Sequence, residues 1–78
     1  MTVNFVSMGT HDIGHYSLAC KNTDIFVKLE EKLNNDFPQL KKYETCFEVK
    51  TRRIKRFLTL EENNNKNNDI INIFIIEE

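Results

Sequence analysis

His11 and His15 stand four residues apart around Asp12 in "HDIGH", a spacing that on a helix would aim two imidazoles at one metal ion. Gly14 and the strand-like residues after it break that geometry. The chain has no further histidine and no cysteine nearby to complete a tetrahedral set. The segment reads as a solvated turn. Alternation puts Cys20 on an inward strand face, where it acts as a small hydrophobe, and Cys46 on an outward face, where its thiol is open to chemistry. A nucleophile needs a base, and the base an orienting group; neither cysteine comes with such a set. There is no glycine-rich phosphate loop and no Ser-His-Asp arrangement. The expectation is a non-enzymatic protein without metal, cofactor or small-molecule substrate.

One charge cluster makes a stronger claim. "KTRRIKR" places Lys50, Arg52, Arg53, Lys55 and Arg56 together, with Phe57 beside them. Arginine pairs bidentately with carboxylate and phosphate, so the run suits an acidic protein partner. It equally suits a solvated turn. Nucleic acid is the weaker ligand, because Phe57 is the one neighbouring platform on which a base could stack. A net charge of −1 also argues against coating nucleic acid or anionic lipid with the whole surface.

Composition bounds the fold that must position these groups. Seventy-eight residues make one domain, spanning 1–78, near the lower size for a core without staples. The apolar fraction of 40%, with six Phe, is enough for such a core. No apolar run approaches the roughly 20 residues of a membrane span, and the first residues lack the basic flank of a secretory signal. With two widely spaced cysteines and no such signal, the protein is expected in the cytoplasm, with the nucleus as the second compartment. The abundance of Asn, Lys and Ile fits a nucleotide bias of the coding sequence, so single Asn or Lys residues carry little functional weight.

Periodicity then gives the elements. "TVNFVSM" alternates as a half-buried strand, the glycines of "GTHDIG" turn the chain, and "HYSLACK" returns as a second strand. "NTD" offers capping side chains, and Phe26, Leu29, Leu33 and Phe37 form one helical stripe that Pro38 ends. "TCFEVK" is a third strand. "RRIKRFLTL" suits a turn and a short edge strand anchored by Ile54 and Leu60. "DIINIFII", apolar on both faces, belongs between two neighbours in the middle of a sheet. The polar run before it must be a tight, solvated connection. The order β-β-α-β-β-β, with terminal strands side by side, is an α+β, β-grasp arrangement. Its expected core is Val3, Phe5, Leu18, Cys20, Phe26, Leu29, Leu33, Phe47, Ile54, Leu60, Ile71 and Ile73. Cys20 and Cys46 fall on opposite faces of strands that are not neighbours, so no intrachain disulfide is expected.

The stretches "TLEENNNKNNDIINIFII" and "CKNTDIFVKLEEKL" resemble the ubiquitin-like family, in its polar loop before the last central strand and its strand-to-helix passage capped by Asp24. The resemblance covers Val3 to Ile76. Three departures matter. The chain closes "FIIEE", with no glycine after Gly14, where conjugated relatives end in Gly-Gly. The family's recognition patch, an Ile flanked by a His and a Val, maps onto Glu48, Asn72 and Phe74, of which Phe74 alone is apolar. Asn65 stands where the family places a buried apolar residue, and an unpaired buried amide costs about 1–3 kcal/mol.

The resemblance implies a non-conjugated protein–protein interaction module. Its expected binding surface is the outer sheet face: Cys46, Glu48, Asn72 and Phe74, with Met8 near Asn72 and Ile76 extending the face. The basic turn from Lys50 to Phe57 is the alternative surface. The second functional reading is a ubiquitin-like modifier, or its precursor, whose activated Gly-Gly tail lies outside this chain. A small-GTPase-binding module is disfavoured, since it wants basic residues on strand two and only Lys21 is near.

Overall fold

A computed structural model describes residues 1–8 and 13–76. The described chain runs β1 (Thr2–Met8), β2 (His15–Ala19), α1 (Phe26–Asp36), a 3-10 helix (Pro38–Lys42), β3 (Glu44–Val49), β4 (Arg52–Arg53) and β5 (Asp69–Ile76). The segment with Gly9, His11 and Asp12, expected to turn the chain, and Glu77 and Glu78 lie outside the described residues. The sheet order is β2-β1-β5-β3-β4. β1 and β5 pair in parallel at its centre, and the other three pairings are antiparallel. Neighbours on both sides and a helix over one face bury Ile71 and Ile73 completely, while Ile70 and Ile76 on the other face stay exposed.

One face of the sheet packs under α1. Val3, Phe5, Phe47, Ile71 and Ile73 meet Phe26, Leu29 and Leu33 there, all buried. Phe26 and Phe47 stack edge to face with centroids 5.0 Å apart, and Phe5 packs against both. Two expected core residues, Leu18 and Cys20, are only partly buried because β2 is an edge strand. Leu40 and Val49 are buried instead. Leu40 was hidden from helical periodicity, because Pro38 restarts the chain as a 3-10 helix, whose spacing differs. Both thiols are free. β2 and β3 are three strand steps apart, about 14 Å, against the roughly 7 Å that a disulfide tolerates.

The helix N-terminus corrects the expected cap. Asp24 does not cap α1: its carboxylate accepts the Lys21 N–H at 2.9 Å, closing a local turn. The first helical amides go elsewhere. Phe26 N–H donates to Leu58 O at 2.9 Å and Val27 N–H to Arg56 O at 2.8 Å. Backbone carbonyls of the 55–60 segment thus satisfy donors that every helix leaves unpaired. Leu60 N–H to Asp24 O and Glu61 N–H to Asn22 O continue the seam.

The polar run "EENNNKNN" is built, not merely solvated. Thr59 and Glu62 exchange bonds, Glu62 N–H to Thr59 Oγ1 at 3.0 Å and Thr59 N–H to Glu62 Oε1 at 2.9 Å, the geometry of a capping box. These bonds hold the Glu62 carboxyl below its usual range. Asn63 and Asn65 are both only 6% exposed, which overturns the expectation of a wholly solvated connection. Asn63 Oδ1 accepts Lys55 N–H at 2.8 Å while its Nδ2 donates to Lys55 O at 2.9 Å and Thr59 O at 3.1 Å. The side-chain amide pairs with a peptide as another peptide would. Asn65 has no such match: neither its Oδ1 nor its Nδ2 finds a partner. Asn64 and Asn68 take the left-handed conformation, φ 59° and 68°, which asparagine tolerates better than most residues.

At the other end of the sheet Tyr16 packs edge to face on Phe37, centroids 5.2 Å apart. Its hydroxyl donates to the Asp36 carboxylate at the end of α1. That bond, with burial and the carboxylate charge, pushes the phenol up to about 12.

The two buried asparagines should respond oppositely. Asn63→Ala strips a buried peptide of its partner and should cost at least about 2 kcal/mol, whereas Asn65→Leu should stabilise by about 1–2 kcal/mol, both read from urea midpoints. The Tyr16 phenol is raised in the folded state, so its contribution is complete below its unfolded value of about 10 and is lost as pH climbs towards 12. Stability measured from pH 9 to 12 should therefore fall more steeply for the parent than for Tyr16→Phe. Equal slopes would remove the Asp36 bond from the account.

Candidate functional site

Strand parity divides each strand between a helix-facing side and an outer side. On β5, Ile71 and Ile73 are buried under α1, so Ile70, Asn72, Phe74 and Ile76 face outward. The β3–β5 register sets Glu48 opposite Asn72 and Cys46 opposite Phe74. Met8 departs from expectation. It is aligned with Phe74, and Val6 is aligned with Asn72. The offset arises because parallel register follows from how the strands enter the sheet, which alternation leaves undetermined.

Val6 and Ile70 are the outer-face residues that sequence reasoning missed. Ile70 is 57% exposed and Ile76 41%, while Phe74 and Val6 are half-buried. A signal for Ile70 existed, since it shares parity with Asn72 and Phe74. On β5 the family patch covers Asn72 and Phe74, and Ile70 lies one outward position before it.

The two halves of this face differ in character. On the β2–β1 side, Ser17 Oγ donates to Asn4 Oδ1 at 2.7 Å, and His15 Nε2 lies 3.2 Å from the same oxygen. Asn4 Nδ2 reaches Asn68 O at 3.3 Å. These polar groups are largely occupied with one another. Over β5 and β3 the side chains are Val6, Ile70, Phe74 and Ile76, with Cys46, Glu48 and Asn72 among them. Cys46 and Glu48 are half-buried.

The basic run does not act as one cluster. Lys50 and Thr51 form a two-residue hairpin turn with φ 50° and 70°, joining Val49 to its partner Arg52. Both central residues at positive φ make this a type I′ turn, the connection that matches strand twist. Lys50, Arg52 and Arg53 are exposed around it. Lys55, Arg56 and Phe57 lie instead in the turn that caps α1. Arg56 is engaged internally: its Nη2 donates to Thr45 O at 3.0 Å and its Nε lies 3.2 Å from Glu30 Oε1. The Glu30 contact is an ion pair without an aligned hydrogen bond, and burial holds the Glu30 carboxyl above its usual range despite the guanidinium. Phe57 is 76% exposed beside Lys55. Lys66, which the run does not include, joins Lys50 and Arg52 at the hairpin end, where the three line one cleft.

Among the described residues no group of three or more His, Cys, Asp or Glu could hold a metal ion, and no helix is long and apolar enough to cross a membrane.

No protein-family model and no curated protein matches the chain. Among solved structures it is similar to a ubiquitin-like protein from the hyperthermophilic archaeon Caldiarchaeum subterraneum, with a TM-score of 0.59 at 15% identity. The match covers 100% of this chain and 99% of the other. At that identity the likeness speaks to the fold. Together with the helix across a mixed sheet whose first and last strands pair at the centre, it establishes that this chain has the ubiquitin-like β-grasp fold.

Proposed function

We propose that this protein is a non-catalytic interaction module that binds a protein partner through the outer face of β5 and β3. The observation that carries the reading is the row Ile70–Phe74–Ile76. Every second residue of the central strand is apolar on the side that α1 does not cover, Asn72 excepted. Core packing does not require those side chains to be apolar. Burying an aromatic and two isoleucines against a partner would supply the apolar centre of an interface. Asn72 and Glu48 would provide polar contacts within it, and the hydrogen-bonded Asn4–Ser17 half would border it.

Protein fragments displayed on phage and selected on the immobilised protein provide the test. Binders should shift the amides of Val6, Cys46, Asn72 and Phe74. Phe74→Ala should weaken them by about tenfold or more, the scale of an aromatic anchor, while the Arg52→Ala/Arg53→Ala variant changes them little. Binders indifferent to Phe74→Ala and lost with the arginines would transfer the site to the basic hairpin.

A further inference from the structure

The cleft between the β3–β4 hairpin and the loop before β5 lies at the end of that sheet face, where Val49, Lys50 and Asp69 also border the depression lined by Ile70 and Asn72. Its volume is about 350 Å³, and Val49, Lys50, Arg52, Asn64, Lys66 and Asp69 line it. Three cations from two separate segments converge there on a chain whose net charge is −1. Their charges are not neutralised locally. None of the three makes an ion pair with a described residue, and Arg52 makes one long contact, Nη2 to Asn64 O at 3.5 Å. The one acid in the cleft, Asp69, accepts the Lys66 backbone N–H at 2.7 Å, so it serves to fix the loop.

We infer that this cleft binds a phosphate group. Three positive charges against one carboxylate leave a local excess of about two, matching the −1.5 to −2 that a phosphate monoester carries near neutral pH. A carboxylate would satisfy only half of it. Arg52 offers the planar fork that pairs with two phosphate oxygens, and the two lysines act as point charges that adapt to a third. The hairpin and the capped, asparagine-stapled loop hold the opposing walls. The cleft is open to solvent on one side, so a pyrophosphate or a phosphorylated small molecule can reach the three cations without being enclosed.

Titration of the 15N-labelled protein with inorganic pyrophosphate tests the assignment. The amides of Lys50, Arg52, Asn64 and Lys66 should shift saturably, and Lys66→Ala and Arg52→Ala should each weaken binding by about fivefold. The Lys41→Ala/Lys42→Ala variant, which removes two exposed cations of the 3-10 helix, should bind as the parent does. Phe74→Ala should also leave it unchanged, which separates this cleft from the proposed sheet surface. The amide spectrum of each variant reports folding directly. A second arm uses phosphatidylcholine vesicles with and without phosphatidylinositol 4-phosphate. Retention only on the phosphorylated vesicles, competed by pyrophosphate, would identify a lipid headgroup as the source; no retention would leave a soluble phosphate. Non-saturating shifts, or equal weakening by Lys41→Ala/Lys42→Ala, would overturn the site.

Discussion

A single amide underlies much of this fold. Asn63 pairs with both polar groups of the Lys55 peptide, which closes the chain from 55 to 63 into a fixed loop. That loop presents the Arg56 and Leu58 carbonyls to the first amides of α1. Those carbonyls pair donors that a helix end otherwise leaves open, here against a core it must cover. The same loop sends Ile54 and Leu60 into that core and gives Arg56 the position from which it holds the Thr45 carbonyl. A buried polar side chain is tolerated here because both its oxygen and its nitrogen are hydrogen-bonded to the backbone. Two residues on, Asn65 shows the contrary case, a buried amide with none.

Much of this was legible in the sequence, and the failures have a common cause. β1 and β5 begin and end where alternation and apolar runs place them, and the stripe Phe26–Leu29–Leu33 is the buried face of α1. Those features depend on local periodicity. What was misread depends on distant partners. Asp24 looks like a helix cap, yet carbonyls some 30 residues away take that role. Asn63 is indistinguishable in composition from the exposed Asn67 and Asn68. Only the returning Lys55 peptide makes it structural. Met8 falls beside Phe74 because the register of parallel strands is set by the chain between them.

The candidate surfaces follow the same division. The parity of β5 could be read directly, and with it the outward row that Phe74 anchors. The cleft could not be read in the same way. The run "KTRRIKR" suggested one basic patch, but the fold separates it and recruits Lys66 from another segment. Lys55 and Arg56 belong to the loop that supports the helix, while Lys50, Arg52 and Arg53 border the sheet's far end. Adjacency in sequence overstated one cluster and concealed another.

The place of β5 also governs when the protein can fold. The strand at the middle of the sheet is the last one made, and its partners β1 and β3 precede it by as much as a whole domain's length of chain. During synthesis β1, β2 and α1 leave the ribosome with their apolar faces unpaired. No central strand yet lies between β1 and β3. At about 5–20 residues per second, that exposure lasts several seconds, and the sheet closes only after Ile76 has emerged. Such long-range pairing gives a high contact order, which slows folding and leaves strand edges open to other chains.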